Sequence, residues 1–96
     1  MPDRKKFIFS EEKSARLKLD RDFSFTEIIA YIESGYLVDV IDSPHQERYP
    51  GQKIYVVDIK GYIWLVPHDR KDGKIILRTA FPSRKATKAY LKEDGE

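Results

Sequence analysis

The apolar positions of this chain change their spacing along its length, and the changes divide it into elements. Between Ser24 and Gly35 the spacing is helical: Phe25, Ile28, Ile29 and Ile32 fall at i, i+3, i+4 and i+7, one buried stripe of a 3.6-residue repeat. Ser24-Phe25-Thr26-Glu27 opens the stretch with a capping-box pattern, in which a hydroxyl and a carboxylate each satisfy an amide that the first turn leaves unpaired. Gly35 closes it with a residue that accepts the left-handed conformation of a C-cap. A second helix is predicted upstream, from residue 11 to 19 or 20. Ser10 is its N-cap, and Glu11 and Glu12 lie in the first turn, where they complement the helix dipole. Its stripe is thin. Ala15 and Leu19 share a face with Leu17 to one side, so it needs a packing partner to persist. The Asp20-Arg21-Asp22 link is short enough to keep the two helices in contact.

Phe7-Ile8-Phe9 reads as an extended entry segment. From residue 36 onward the apolar spacing shortens to strand alternation, with strands expected at 36–42, 53–60, 62–68 and 74–81. Lys60-Gly61 and Arg70-Lys71-Asp72-Gly73 are turn sequences, so the last three strands form an antiparallel meander. A polar loop bracketed by Pro44 and Pro50 carries His45 and Tyr49. On the third strand Tyr62, Trp64, Val66 and His68 point one way. On the fourth, Ile75, Leu77, Thr79 and Phe81 oppose Lys74, Ile76, Arg78 and Ala80. Arg78 therefore belongs to the more polar face, which the helices are expected to leave open. Pro82 cannot continue a sheet ladder, and Ser83 then caps a short helix. Ala86, Ala89 and Tyr90 form its apolar side, opposite Arg84, Lys85, Lys88 and Lys92. The expected fold is α+β, with two N-terminal helices, an antiparallel sheet of three to four strands and a C-terminal helix. Residues 1–96 form a single domain, with flexible ends at 1–6 and 93–96.

Composition narrows the chemistry. One Trp, six Tyr and five Phe in 96 residues suit a packed core rather than a disordered chain. The absence of cysteine excludes disulfides and thiol catalysis and fits a cytoplasmic protein. No apolar run has the length of a signal peptide or membrane span. The formal net charge of +2 conceals an uneven distribution: residues 68–92 hold eight Lys/Arg and two Asp, while the rest is slightly acidic. There is no glycine-rich phosphate loop and no metal-ligand spacing of His, Cys or acids, so neither a cofactor nor a metal is expected.

What remains is a basic and aromatic set suited to RNA: Lys53, His68, Arg78, Arg84 and Lys85, with Tyr55, Tyr62 and Tyr90 close in the pattern. Arginine and lysine hold phosphates and offset charge that develops on phosphorus, and aromatic rings stack on unpaired bases. The candidate catalytic residues are Arg84, Lys85 and Arg78, with His68 as a proton carrier for a 2′-hydroxyl or a leaving 5′-oxygen. Lys53, Lys74, Lys88 and Tyr55 are the candidate RNA contacts. Each has a plainer alternative: Arg78 as half of a cross-strand ion pair, His68 as an ordinary strand-end residue, and Arg84 and Lys85 as a solvated helix start. Basic residues in a first turn oppose the helix dipole, however, which favours an anionic ligand there.

Two segments carry a family resemblance. Phe7-x-Phe9-x-x-x-Lys13, followed by Arg21-Asp22-Phe23-Ser24-Phe25-x-Glu27, resembles the aromatic-x-aromatic, Lys, and His-Gly-hydrophobic-Ser-Phe-x-Glu signature of the BrnT-like branch of the RelE superfamily of type II toxin–antitoxin toxins. Ser83-Arg84-Lys85-Ala86-Thr87 is similar to the Ala-Arg-Arg-Ala-Thr that begins that branch's last helix. Arg21-Asp22 stands where the family has His-Gly, and the family's strand arginine would fall at Thr79, one residue from Arg78. The resemblance implies a metal-independent endoribonuclease that cuts mRNA through its 2′-hydroxyl and inhibits translation. It also implies a cognate antitoxin, often with a ribbon-helix-helix domain, through which alone the toxin would meet operator DNA. The alternative is a catalytically inactive RNA-binding or partner-docking module on the same fold.

Overall fold

A computed structural model describes residues 6–91. The chain is α+β: two N-terminal helices, a mixed and mostly antiparallel sheet, and a C-terminal helix. In chain order the elements are β1 (Lys6–Ile8), α1 (Glu11–Arg21), α2 (Phe25–Tyr31), a π turn (Ile32–Tyr36), β2 (Leu37–Asp42), β3 (Lys53–Ile59), β4 (Tyr62–Lys71), β5 (Lys74–Leu77), β6 (Phe81–Pro82) and α3 (Arg84–Tyr90). The ends expected to be flexible lie outside the described residues, except Lys6, which heads β1.

The strand order is β1-β5-β4-β3-β2, with β6 paired to β4 beyond β5. The meander is antiparallel, as the short turns require. Among the described residues the sheet has six strands rather than the three to four expected, because the extended entry segment Phe7-Ile8 joins it and the last strand divides into β5 and β6. The entry segment pairs with Ile75 and Ile76, parallel to β5, and makes the sheet mixed. The second turn is also tighter than expected: β4 continues to Lys71, leaving Asp72 and Gly73, both at positive φ, as a two-residue hairpin.

Both N-terminal helices carry the anticipated caps. Ser10 Oγ accepts from the Lys13 amide. In the capping box of α2, Ser24 Oγ accepts from the Glu27 amide at 3.2 Å and Glu27 Oε1 accepts from the Ser24 amide at 2.8 Å. That amide bond, and then the Lys18 ammonium 3.0 Å from the carboxylate, hold the Glu27 carboxyl below its usual range. Phe25, Ile28 and Ile32 are buried and Ile29 is half-buried, packed on the core. Gly35 adopts φ 99° where the chain leaves the helix for β2.

The stripe of α1 differs from expectation. Leu17 and Ser14 face the core, whereas Ala15 is exposed and Leu19 is 85% exposed. The reason is a polar contact: Ser14 Oγ accepts from the buried Phe25 amide at 3.0 Å, which ties α1 to the start of α2 and turns Leu17 inward one turn later.

The core lies between these helices and one sheet face. Tyr55, Val57 and Ile59 of β3, Trp64 and Val66 of β4, and Ile75 and Leu77 of β5 meet Leu17, Phe25, Ile28 and Ile32. The last strand does not run unbroken from 74 to 81. It leaves the ladder at residues 78–80 and resumes at β6, and this break shifts the alternation by one. Ala80, expected to point outward, is 1% exposed in the core, and Phe81 turns to the second face opposite Leu65. That second face is not simply open. α3 begins against β4, where the Ser83 amide donates to Ile63 O and the Ile63 amide donates to Thr87 Oγ1. It ends near β2, where the Tyr90 hydroxyl donates to Asp39 at 2.9 Å. The helix thus crosses the Val56–Ile63 end of that face and does not reach the Ile54–Pro67 end, where Ile54 is buried all the same. No described helix is long and apolar enough to cross a membrane.

Candidate functional site

Three depressions meet at Arg78. The first, about 420 Å³, lies between α1 and the 78–81 segment. Its wall carries Lys13, Arg16, Arg21 and Arg78 against a single acid, Asp20. The second is a groove of about 720 Å³ at the end of the second sheet face that α3 does not reach. Ile54, Leu65, Pro67 and Phe81 supply its apolar surface, and His45, Tyr49, Asp69 and Arg78 its polar groups. The third, about 420 Å³, adds Arg48, Arg70 and Lys71 to Tyr49, Asp69 and Arg78. The groove shares Arg78, Thr79 and Phe81 with the first depression and Tyr49, Asp69 and Arg78 with the third. It is therefore adjoined by two basic depressions.

The break after Leu77 creates this junction. Once the chain leaves the ladder, the Arg78 amide still donates to Pro67 O, so the residue stays beside β4 while its side chain reaches the three hollows. Its Nε donates to Asp69 Oδ2 at 2.6 Å. One of five guanidinium N–H groups is thereby committed to orientation, and the others remain for a ligand. Both readings of Arg78 thus find a counterpart: it is in a cross-strand pair, and it lines a basic cleft.

The loop over residues 43–52 is held firmly. The Ser43 amide donates to Gln52 O. Gln46 Nε2 donates to Ser43 O at 2.8 Å and Gln52 O at 3.1 Å, while Gln46 Oε1 accepts from the Gly51 amide at 2.8 Å. The amides of Arg48 and Tyr49 donate to His45 O. Bonding within the loop fixes the turn that presents His45 and Tyr49, both exposed, to the groove.

The other candidates are dispersed. His68 is 1% exposed, on the helix-covered face, with its ring stacked on Tyr55 at 3.8 Å between centroids. Its Nδ1 lies 3.0 Å from Val66 O. A carbonyl only accepts, so the neutral ring carries its proton on Nδ1. Burial is the main cause of a pKa held below the usual histidine value, opposed by the Val66 bond. The expectation that His68 carries protons for RNA is therefore corrected: it alternates with Trp64 and Val66 and points into the core. Tyr55 is corrected for the same reason. It is 4% exposed, and burial raises its pKa. Lys53 pairs with Asp42 at 2.6 Å near the β2–β3 end, and Lys74 stands opposite Lys71 beside the hairpin turn. Neither lines the groove or the α1 cleft. Arg84, Lys85 and Lys88 are exposed on α3. Because Arg78 is bonded at Pro67 and Ser83 at Ile63, four strand residues or roughly 13 Å separate Arg78 from the start of α3. Among the described residues no group of His and acids could hold a metal ion.

The sequence pattern singles out His68 as the proton carrier and does not mark Lys13, Arg16 and Arg21 as cleft residues or His45 as a reactive one. The first omission had a visible signal. Lys13, Leu17 and Arg21 lie at i, i+4 and i+8, with Arg16 adjacent on the helix, so the Leu17 stripe carries its basic residues with it. No family model, curated protein or solved structure matches the chain.

Proposed function

We propose that this protein is an endoribonuclease toxin of the RelE type, close to the BrnT-like branch, that cuts mRNA without metal through the RNA's own 2′-hydroxyl. The observation that carries the reading is the convergence of Lys13, Arg16 and Arg21 of α1 on Arg78. A cleft with four cations and one acid suits a phosphodiester backbone, and one of its residues, Lys13, matches the lysine of the signature that resembles the family.

In this reading the 2′-oxygen loses its proton to a base and attacks the adjacent phosphorus. The P–O5′ bond breaks, and the 5′-oxygen takes up a proton. The products are a 2′,3′-cyclic phosphate and a 5′-hydroxyl, and the net proton count is unchanged. Arg78, held by Asp69, offsets the charge that builds on phosphorus. The proton carrier is His45, which lines the groove that Arg78 also lines, rather than the enclosed His68. Arg84 and Lys85 hold the strand farther along, at the start of α3. A toxin of this kind is kept silent by a partner, and an acidic antitoxin segment complements the basic surface around Arg78.

One observation favours a second reading, an RNA-binding or partner-docking module without activity: His68 and Tyr55, whose chemistry the sequence pattern suggested, are enclosed under the helices. The products separate the two. Purified protein incubated with RNA and EDTA yields fragments ending in 2′,3′-cyclic phosphate and leaves DNA of the same sequence intact. RNA recovered whole, or EDTA-sensitive cutting, overturns the ribonuclease reading.

A further inference from the structure

The apolar part of the groove that Arg78 lines cannot itself hold phosphates, and its shape and lining need a different occupant. At about 720 Å³ it lies within the range of sites that enclose small organic ligands. Leu65, Pro67 and Phe81 form an apolar surface, and Tyr49 stands over it on a loop pinned by the Gln46 side chain. Cationic side chains line the depressions that adjoin it: Arg16 and Arg21 in one, Arg70 and Lys71 in the other. An aliphatic ligand would satisfy the surface but not these cations. A planar heterocycle attached to a phosphate chain satisfies both, because the base covers the apolar surface while the phosphates on either side meet the cations.

We infer that this groove receives an unpaired nucleobase of a single-stranded RNA, with the phosphates flanking that base lying against Arg78 and the two basic depressions. The inference rests on the RNA reading above and adds to it the form of RNA accepted. Tyr49 stacks on the base, a contact that any of the four bases can make. A base held in a duplex cannot enter the groove without leaving its stack, so the site selects single strands and loops. Gln46 is a positioning residue: it fixes the loop and reaches the ligand only through Tyr49 and His45.

The test uses 2′-O-methyl RNA, in which the nucleophilic hydroxyl is blocked and cleavage does not intrude on binding. A labelled single strand binds at least tenfold tighter than the same strand annealed to its complement. Tyr49→Ala lowers single-strand affinity about tenfold, within the range for loss of one base–aromatic stack, and barely changes duplex affinity. Arg16→Ala with Arg21→Ala weakens both forms. An unchanged melting temperature for Tyr49→Ala, an exposed loop residue, shows that the fold is intact. Equal affinity for single strand and duplex, or wild-type affinity in Tyr49→Ala, overturns the inference. So does AMP displacing the strand at equal base concentration, which makes the groove a mononucleotide site, or a Tyr49-dependent dimer in sedimentation, which makes its occupant a second copy. Cleavage of unmodified RNA without single-strand preference leaves the ribonuclease reading standing and removes the base site. Single-strand preference without cleavage does the reverse.

Discussion

Asp69 holds Arg78 by a single bond, Nε to Oδ2 at 2.6 Å, with the arginine side chain 49% exposed and the carboxylate 29%. The pair orients a cation without enclosing it. Such an exposed pair contributes about 0–1 kcal/mol to folding, so its purpose is better sought in binding. Arg78→Ala is expected to lower RNA affinity by roughly tenfold or more, the scale of one charge-assisted hydrogen bond. It also makes the plot of log affinity against log salt shallower by about 0.7, one phosphate contact to a single strand. The melting temperature should hardly move. A titration across salt concentrations checks both, and an unchanged slope would place Arg78 outside the phosphate path.

Ser14 shows how a polar residue sets helix packing. Its hydroxyl accepts from the buried Phe25 amide. Ser14→Ala leaves that donor unpaired and is expected to cost about 1–3 kcal/mol. At about 4–8 °C per kcal/mol for a domain of this size, the loss is readily seen by thermal unfolding. A midpoint within a degree of wild type would mean that water replaces the hydroxyl.

His68 gives a pH signature. Its folded pKa lies below the ordinary value near 6.5, so below about pH 6.5 the unfolded chain binds a proton that the folded chain resists. Its contribution is present above that pH and is lost as pH falls toward the folded pKa. Wild type should therefore lose melting temperature between pH 7.5 and 5.5. His68→Phe, which keeps an aromatic ring against Tyr55, should lose less. Identical pH profiles for the two proteins would remove His68 as the source.

Most of the fold was legible because local rules and tertiary packing agree. The capping box at Ser24, the stripe of Phe25, Ile28 and Ile32, the two hairpin turns and the Ser83 cap all follow from residues near in sequence. What escaped depends on distant partners. Phe7 and Ile8 become a strand only because β5 presents a parallel edge. The reversal of Ala80 and Phe81 comes from a break in the ladder that no residue before Pro82 announces. The same break gives Arg78 its reach, so the candidate site was only partly readable: its arginine was, but not its α1 wall. The choice between His45 and His68 had a local clue, since His68 shares its face with Trp64.

The partner prediction is physiological. Expression of this chain alone is expected to slow growth, and co-expression with a cognate antitoxin to restore it, with the two proteins copurifying in a salt-sensitive complex. Harmless expression at high level would argue for the binding module.

The central claim, that the cleft around Arg78 directs metal-independent RNA cleavage, is tested most directly by comparing variants on one unmodified single-stranded RNA in EDTA. Wild type and Lys60→Asn, a charge change away from the cleft, should produce 2′,3′-cyclic phosphate ends at similar rates. Arg78→Ala should fall by about 10²–10³, the loss expected when one transition-state charge partner is removed. Arg16→Ala with Arg21→Ala should fall steeply with it, all variants melting close to wild type. Uncut RNA with wild-type protein, or cutting by the cleft variants at the rate of Lys60→Asn, would contradict the account.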